Sequence, residues 1–434
     1  MKTALPILAA LFAVSCLGAV EYTIKNDREM PVYKCGEPAG FTVAAQENGA
    51  PLKQGKLVAE ITLDGRNVLE KRELDFSRNN PAEFTATLKE PGFILVRLRD
   101  ENGKELTVPD EQKKGRRKGV HAGAAFEPEK IKLAFSLPDD FRTYWETGRK
   151  AIADKPVKLD RVEKFCKPEY TTYYVTVESL GGDKITGYLT VPTGKGPFPA
   201  FVTVPGAGPG NSGPVNEFAG KGVITLMMNI HKFPTADNAD EQKARYEADQ
   251  KTTKEPYGRR NANDRETYFM RSPYLGIDRA VTHIAQMPEW DRKHLVFAGT
   301  SQGGRLAIAI GGLNKNITAI AANVPGGCDL GGWNHGNTAG GRSYYYIKGA
   351  DRTMQYFDCG NFARFVKVPV LTSCGFVDVV CSPASVYAVY NQFDCEKTMI
   401  RVPLEGHTMS KAYWKARKKF VYEHLGLENP ERMK

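Results

Sequence analysis

Apolar and polar positions change along the chain in two different ways. Up to about residue 109, short and partly alternating apolar runs are separated by turn-forming dipeptides. These are Asn48-Gly49, Asp64-Gly65, Pro91-Gly92 and Asn102-Gly103. Short runs between such turns are typical of the strands of a small sandwich. We therefore expect an immunoglobulin-like β-sandwich domain over residues 20–110.

From about residue 124 the pattern is different, since nearly continuous β-branched apolar runs alternate with longer helix-like segments. The runs cover 173–177, 200–204, 223–228, 295–298, 317–322, 368–374 and 398–402. Strands that are buried on both faces of a mainly parallel sheet have this composition. The pattern predicts an α/β fold over residues 124–434, with helices on both faces of the sheet.

A basic segment at 111–123 separates the two regions. Sixty Lys and Arg against fifty Asp and Glu give the chain a net charge of +10, and residues 111–118 alone carry five basic residues and one acidic residue. A nucleic-acid-binding arm would be expected to interleave aromatic residues with its charges, and this segment has none. We interpret it as a linker and expect no nucleic-acid partner.

The first residues have the charged, apolar and small-residue order of a secretory signal peptide. Lys2 is followed by an apolar run over 4–14 and then by Ser15, Gly18 and Ala19. That run is too short to span a bilayer, and no later segment is longer. We expect a signal peptide at 1–19, no transmembrane segment, and a secreted or periplasmic protein. The less favoured alternative is lipoprotein anchoring through Cys16.

The eight cysteines become seven once Cys16 is set aside. No C-x-x-C pair is present, so neither a zinc knuckle nor a thioredoxin-like site is indicated, and we expect no metal and no cofactor. Cys374 and Cys381 flank a short loop. A disulfide between them and two buried free thiols both remain open.

The segment Gly299-Thr300-Ser301-Gln302-Gly303 matches the G-x-S-x-G motif of a nucleophile elbow. An apolar strand run precedes it and a helix-compatible run over 304–310 follows it, which is the strand, tight turn and helix that such an elbow requires. Ser301 is therefore the predicted nucleophile, placed above a helix N-terminus that favours developing negative charge.

A serine needs a base and an orienting carboxylate to act as a nucleophile. Among the seven histidines, His407 fits best, because it lies after the serine and follows the strand run 398–402 in a glycine-containing loop. His231 and His335 are the competing candidates.

Asp378 is the predicted carboxylate. It lies four residues after the buried run 368–374, and Ser382 and Pro383 can begin a helix shortly after it. Catalytic groups of open α/β sheets gather at the carboxyl ends of the strands. The order Ser301, Asp378, His407 is that of α/β-hydrolases. Two weaker alternatives for the carboxylate are Asp329 and Asp351.

These motifs resemble the acetyl xylan esterase and cephalosporin C deacetylase family of carbohydrate esterases. The resemblance rests on GTSQGG at 299–304, on YFDCGNFARFVKVPVLTSCGFVDVVCSPASVYAVYNQF at 356–393, and on Gly406-His407, and it covers about 120–428. It implies an α/β-hydrolase fold, the triad of Ser301, Asp378 and His407, and the Gln302 N–H as an oxyanion donor.

The chain departs from this family's pattern at several positions. Pro205-Gly206-Ala207 stands where the family has H-G-Y, so the Ala207 N–H would be the second oxyanion donor without the tyrosine side chain. Near Asn229-Ile230-His231 there is no counterpart of the family's R-G-Q motif, and Thr408 replaces a glutamate. Residues 231–271 form a polar insertion that we interpret as a lid or a disordered loop.

The sequence therefore predicts a secreted serine esterase that removes acetyl or other short acyl groups from oligo- or polysaccharides through an acyl-enzyme. A serine peptidase of the prolyl-oligopeptidase type and a non-catalytic carbohydrate-binding protein are the alternatives. Assembly into a homo-oligomer stays open.

Four aromatic residues could stack on sugar rings, although core packing is the more common role of such residues. They are Trp333, Tyr344, Tyr345 and Tyr346.

Overall fold

The structure, a computed structural model, describes residues 20–110, 115–332, 347 and 349–428. The chain divides into two compact units, Met1–Glu127 and Pro128–Lys434. The expected signal peptide, Cys16, His335 and the four candidate sugar-stacking aromatics lie outside the described residues. No helix in the described part of the chain is long and apolar enough to cross a membrane.

The first unit consists of short strands. They are β1 (Val20–Asn26), β2 (Val32–Tyr33), β3 (Ala39–Glu47), β4 (Ala50–Pro51), β5 (Lys56–Leu63), β6 (Asn67–Asp75), β7 (Ala82–Ala86), β8 (Gly92–Arg99), β9 (Thr107–Pro109), β10 (Arg117–Gly119) and β11 (His121–Phe126).

Two larger sheets of this unit share one hydrophobic core. One has the order β1-β3-β4 with β7 also paired to β3, and the other has the order β2-β11-β8-β5-β6. Phe41 and Val43 of the first sheet and Ile61 and Val96 of the second belong to the same buried cluster. Alternate residues of β3 are buried, which is the pattern of a strand with one face on a core.

The segment expected to be a linker is partly folded into this unit. Residues 117–119 pair with β9, and β11 lies between β2 and β8. Five of the six β11 residues are buried, because small apolar side chains allow close packing at the centre of the sheet. The first unit therefore extends to Glu127 rather than to residue 110.

The second unit is built around a nine-stranded sheet. Its strands are β12 (Val157–Arg161), β13 (Tyr170–Glu178), β14 (Lys184–Pro192), β15 (Phe198–Val204), β16 (Ile224–Met228), β17 (Trp290–Thr300), β18 (Ala319–Asn323), β19 (Val370–Gly375) and β20 (Lys397–Val402). The spatial order is β12-β13-β14-β16-β15-β17-β18-β19-β20.

One described helix of this unit precedes β12 in the chain, and the others follow β16 and the later strands. They are α1 (Phe141–Ala151), α2 (Ala239–Thr253), α3 (Arg271–Gln286), α4 (Gln302–Leu313), α5 (Asp351–Met354), α6 (Cys359–Ala363), α7 (Pro383–Tyr390) and α8 (Lys411–His424).

The sheet is antiparallel from β12 to β16 and parallel from β16 to β20. Every residue of β16, β18 and β19 is buried, as expected for strands that are covered on both faces. Each of the seven apolar runs predicted from the sequence overlaps one of these strands. The α/β fold of the sequence prediction is confirmed.

The insertion at 231–271 is folded, so the disordered loop considered for it is wrong. It contains α2, and the side chains of Tyr257, Tyr268 and Met270 are buried in the main hydrophobic cluster of the unit. Its polar composition obscured these few large apolar anchors, which hold the segment against the sheet.

Candidate active site

Ser301 occupies the sharp turn between β17 and α4. Its backbone has φ +57° and ψ −116°, a left-handed conformation that a residue with a side chain rarely adopts. Three hydrogen bonds hold it there: the Ser301 N–H donates to the carbonyl of Asn323, and the Ser301 carbonyl accepts from the N–H groups of Arg305 and Gly326. The strand, sharp turn and helix predicted around Ser301 are present in the structure.

Two glycines of the motif are required by close packing. A Cβ at Gly299 would lie 2.3 Å from the carbonyl carbon of Gly303, and a Cβ at Gly303 would lie 2.1 Å from the carbonyl oxygen of Val204. The strand and the helix thus approach each other more closely than any side chain would allow. This approach turns Ser301 outward at the carboxyl end of β17.

His407 and Asp378 form the predicted pair. The Nδ1 atom of His407 lies 2.9 Å from Oδ2 of Asp378, whose side chain is fully buried. The other carboxylate oxygen accepts the N–H groups of Val380 and Cys381 at 2.7 and 2.9 Å. Since both oxygens have hydrogen-bond partners, the carboxylate is fixed in position and holds the imidazole in one orientation.

Two side chains connect this pair to the serine. The backbone carbonyl of Asn323 accepts the N–H of Ser301, while its side-chain amide donates to the carbonyl of Thr408, next to His407. The side chain of Cys381 lies next to that of Ser301, and burial raises the pKa of its thiol well above the ordinary value. The structure therefore brings Ser301, Asp378 and His407 together at one edge of the sheet.

Neither Asn323 nor Cys381 is predicted from the sequence as part of this site. Asn323 ends β18, the strand beside β17. A polar residue at the carboxyl end of a fully apolar strand was the available signal for it. For Cys381 there was a weaker signal, namely its position three residues after Asp378.

The alternatives for base and carboxylate have other contacts. The Nε2 atom of His231 is 2.8 Å from the carbonyl of Gly208, and the ring lies among aromatic side chains. Asp329 accepts the N–H of Ala134, and Asp351 begins the short helix α5. His407 and Asp378 therefore remain the candidates.

The two predicted oxyanion donors lie on either side of the elbow. Gln302 is the first residue of α4, where a backbone N–H has no partner within the helix. Ala207 is exposed in the loop after β15, and its N–H donates no hydrogen bond to any described residue. A Cβ at the neighbouring Gly206 would lie 4.0 Å from Cβ of Ser301, which places this loop beside the nucleophile.

Cys374 and Cys381 are both buried free thiols, so the disulfide considered between them is not formed. In the described part of the chain, no group of three or more His, Cys, Asp and Glu side chains is arranged to hold a metal ion.

A family model described as acetyl xylan esterase (AXE1) matches residues 129–425, which is more than two thirds of the chain. This protein belongs to the acetyl xylan esterase family. The resemblance inferred from the sequence motifs is thereby confirmed, and the protein is a carboxylic ester hydrolase.

The acetyl esterase Axe7A of Xylanibacter ruminicola is 28% identical over 400 residues, covering 89% of this chain and 86% of the relative. The unit Pro128–Lys434 contains 307 of the 434 residues, so a match over 89% of the chain must extend into the first unit. The similarity is thus not confined to the esterase unit.

Two solved acetyl xylan esterases share the fold. Acetyl xylan esterase 1 from Thermoanaerobacterium sp. JW/SL YS485 is 19% identical with a TM-score of 0.59, and covers 68% of this chain and 97% of its own. The acetyl xylan esterase from Paenibacillus sp. R4 is 23% identical with a TM-score of 0.58, and covers 69% and 99%. The second unit of this family member therefore has the α/β-hydrolase fold.

Proposed function

We propose that this protein is an exported serine esterase that removes acetyl groups from acetylated oligo- or polysaccharides. The observation that carries the proposal is the hydrogen-bonded pair of His407 and Asp378 at the same sheet edge as the strained Ser301. Membership of the acetyl xylan esterase family and the similarity to a protein named acetyl esterase support the acetyl group as the acyl part.

In the first half-reaction Ser301 attacks the ester carbonyl while the imidazole of His407 takes the hydroxyl proton. The new bond joins Oγ to the carbonyl carbon, and the electron pair of the double bond moves onto the carbonyl oxygen. Collapse of this tetrahedral species breaks the bond to the sugar oxygen, which leaves with the proton from His407. The product of this half-reaction is an acetyl-serine.

Asp378 keeps the proton of the neutral imidazole on Nδ1, so that Nε2 can serve as the base, and it stabilises the imidazolium that forms. The N–H groups of Gln302 and Ala207 are the proposed donors to the oxyanion. Each such donor lowers the barrier by about 3 kcal/mol. Water then attacks the acetyl-serine, again with His407 as base, and releases acetate.

Export by the N-terminal segment is part of this proposal. Its support is the order of charged, apolar and small residues over 1–19. An acetylated polysaccharide is too large to enter a cell intact, so an enzyme that acts on it directly needs to reach the outside or the periplasm.

The test replaces Ser301 with alanine and measures hydrolysis of p-nitrophenyl acetate and of acetylated xylan. We expect the rate of both reactions to fall by about 10³-fold or more, because no other group attacks the carbonyl. Ser77→Ala, which changes an exposed serine of the first unit, is the matched control and should keep wild-type activity. Near-normal activity of Ser301→Ala would overturn the assignment.

Two further measurements address the alternatives. Only an activated serine reacts with a fluorophosphonate probe, so labelling that disappears in Ser301→Ala excludes a non-catalytic binding protein. A panel of peptide substrates beside acetylated sugars separates an esterase from a peptidase.

A further inference from the structure

The loop after β15, residues 206–211 and here called the oxyanion loop, is held by four buried side chains. Each of the four is only 1% exposed. They are Asn229, His231, Gln242 and Gln302. We call this set the clasp. Every residue of the loop itself is at least partly exposed, so buried side chains support an accessible segment of main chain.

The clasp bonds main-chain groups along nearly the whole loop. The side-chain amide of Gln302 donates to the carbonyl of Gly206 at 3.5 Å, and Nε2 of His231 donates to that of Gly208 at 2.8 Å. Further along, Gln242 donates to the carbonyl of Pro209 at 2.6 Å, and Asn229 bonds both the N–H and the carbonyl of Asn211 at 3.0 and 2.8 Å.

The first of these bonds sets the direction of a proposed oxyanion donor. The carbonyl of Gly206 and the N–H of Ala207 belong to one planar trans peptide unit, in which they point in opposite directions. Anchoring the carbonyl on Gln302 therefore directs the N–H of Ala207 to the other side of the peptide plane. An oxyanion donor acts only if it is directed correctly before the reaction begins.

Tyr257 fixes which way the Gln302 amide faces. Its hydroxyl donates to Oε1 of Gln302 at 2.8 Å, so the NH₂ group must face Gly206. The tyrosine is fully buried, and the ring of His231 packs edge-on against it with centroids 5.1 Å apart. Both side chains come from the polar segment 231–271.

His231 is suited to a constant structural bond. Burial lowers the pKa of its imidazole, and Nδ1 is buried without a hydrogen-bond partner in the described residues. The ring is therefore neutral at neutral pH and carries its proton on Nε2, where it is donated to Gly208. Stacking on Phe233 with centroids 4.7 Å apart holds the ring in that orientation.

We infer that Tyr257 and His231 are positioning residues that direct the Ala207 N–H into the oxyanion hole through Gln302 and Gly208. This inference rests on the proposed function, and it assigns a role in the reaction to the segment that follows β16. Neither residue touches the substrate in this scheme.

Tyr257→Phe is the primary test, because it removes one hydroxyl and leaves the packed ring. We expect kcat for p-nitrophenyl acetate to fall by about 10-fold or more, part of the effect of losing one oxyanion donor. KM should stay within about twofold, and methylboronic acid, which forms a tetrahedral adduct with the serine, should bind correspondingly more weakly. Labelling of Ser301 by a fluorophosphonate should persist.

The matched control is Tyr268→Phe. Tyr268 is also buried in the same segment, but its hydroxyl donates to the carbonyl of Gly258, outside the oxyanion loop. This variant should keep wild-type kcat.

A second pair of variants separates the loss of the hydrogen bond at His231 from the loss of packing. The side chain of His231→Gln can still donate to the carbonyl of Gly208, so this variant should retain most of the kcat that His231→Leu loses.

The inference is overturned if Tyr257→Phe keeps wild-type kcat, or if it and Tyr268→Phe lose kcat and melting temperature equally. Equal losses of kcat in His231→Gln and His231→Leu would also contradict it. These outcomes are distinct from failure of the proposed function, which would appear as an active Ser301→Ala enzyme.

Discussion

Asp378 and Asp291 hold histidines in the same way at opposite ends of the sheet. Each uses one carboxylate oxygen to accept the N–H groups two and three residues later, and the other to contact a histidine Nδ1. Asp291 and His294 lie near the start of β17, whereas Asp378 and His407 lie beside Ser301 at its end. Only the second pair can assist the serine.

This duplication provides a matched test of the carboxylate. Asp378→Asn should lower kcat by about 10³-fold or more, because an amide cannot keep the imidazole in the required tautomer. Asp291→Asn makes the same chemical change in the same local geometry and should leave kcat unaltered. Steady-state kinetics with an aryl acetate measure both, and equal losses would show that the effect arises from stability alone.

Asp358 offers a prediction of pH dependence. It is completely buried at the N-terminus of α6, and burial raises the pKa of its carboxyl from 3.8 to about 6, against the opposing effect of bonds from the Gly360 and Leu330 N–H groups. Between these two values the folded state binds a proton more tightly than the unfolded chain. Stability is therefore lost as the pH rises from about 4 to about 6, by about 3 kcal/mol.

Asp358→Asn cannot titrate, so the comparison isolates this group. The free energy of unfolding of the wild type, relative to the variant, should decrease by up to about 3 kcal/mol between pH 4 and pH 7. Denaturant unfolding at several pH values measures the difference. A difference that stays constant over that range would show that the carboxyl has an ordinary pKa.

At this scale the sequence pattern was enough to propose three triad residues but not the residues that support them. Ser301, Asp378 and His407 each lie within five residues of the end of a recognisable apolar run. Asn323 and Tyr257 act through hydrogen bonds between segments far apart in the chain. No local pattern encodes such contacts, because they depend on how the strands are ordered in space.

Among the elements, α4 approaches β15 too closely for a side chain to fit between them. Gly303→Ala would place a Cβ 2.1 Å from the carbonyl oxygen of Val204, a main-chain atom that cannot rotate away. We expect the free energy of unfolding to fall by about 1–3 kcal/mol. Activity should fall as well, since β15 leads directly into the oxyanion loop.

Gly220→Ala is the control for this substitution. Gly220 lies in the short 3₁₀ turn Ala219–Lys221, and a Cβ there would meet no atom within 4 Å. Its stability should stay within about 0.5 kcal/mol of the wild type. Chemical denaturation of the two variants provides the measurement, and equal stabilities would contradict the packing argument.

Strands were predicted well because an apolar run between turn residues is a local signal. The folded state of 231–271 could not be predicted, for the opposite reason. Two of its polar side chains, His231 and Gln242, are buried because they satisfy main-chain groups of a distant loop, and hydropathy cannot distinguish such residues from exposed ones. A polar segment in an enzyme of this fold can thus be part of the core.

For the whole molecule, the distribution of the hydrophobic clusters predicts how the chain can be divided. One cluster contains only residues up to Phe126, and two further clusters begin at Leu133 and Phe201. Each unit therefore has a core of its own, which is the usual condition for independent folding.

A chain that begins at Pro128 should accordingly fold and hydrolyse p-nitrophenyl acetate within about threefold of the full-length rate. Circular dichroism and steady-state kinetics would report on folding and activity. A fragment that is unfolded or insoluble would show that the second unit depends on the first.

The backbone conformation of Ser301 lowers the stability of the fold at the residue that the reaction needs. A non-glycine residue at φ +57° costs on the order of 1–3 kcal/mol, and glycine avoids that cost. Ser301→Gly should therefore melt at a higher temperature than Ser301→Ala, although both lack the nucleophile. Selection for thermal stability alone would remove the serine, so its retention in a functional enzyme has to be enforced by the reaction it performs.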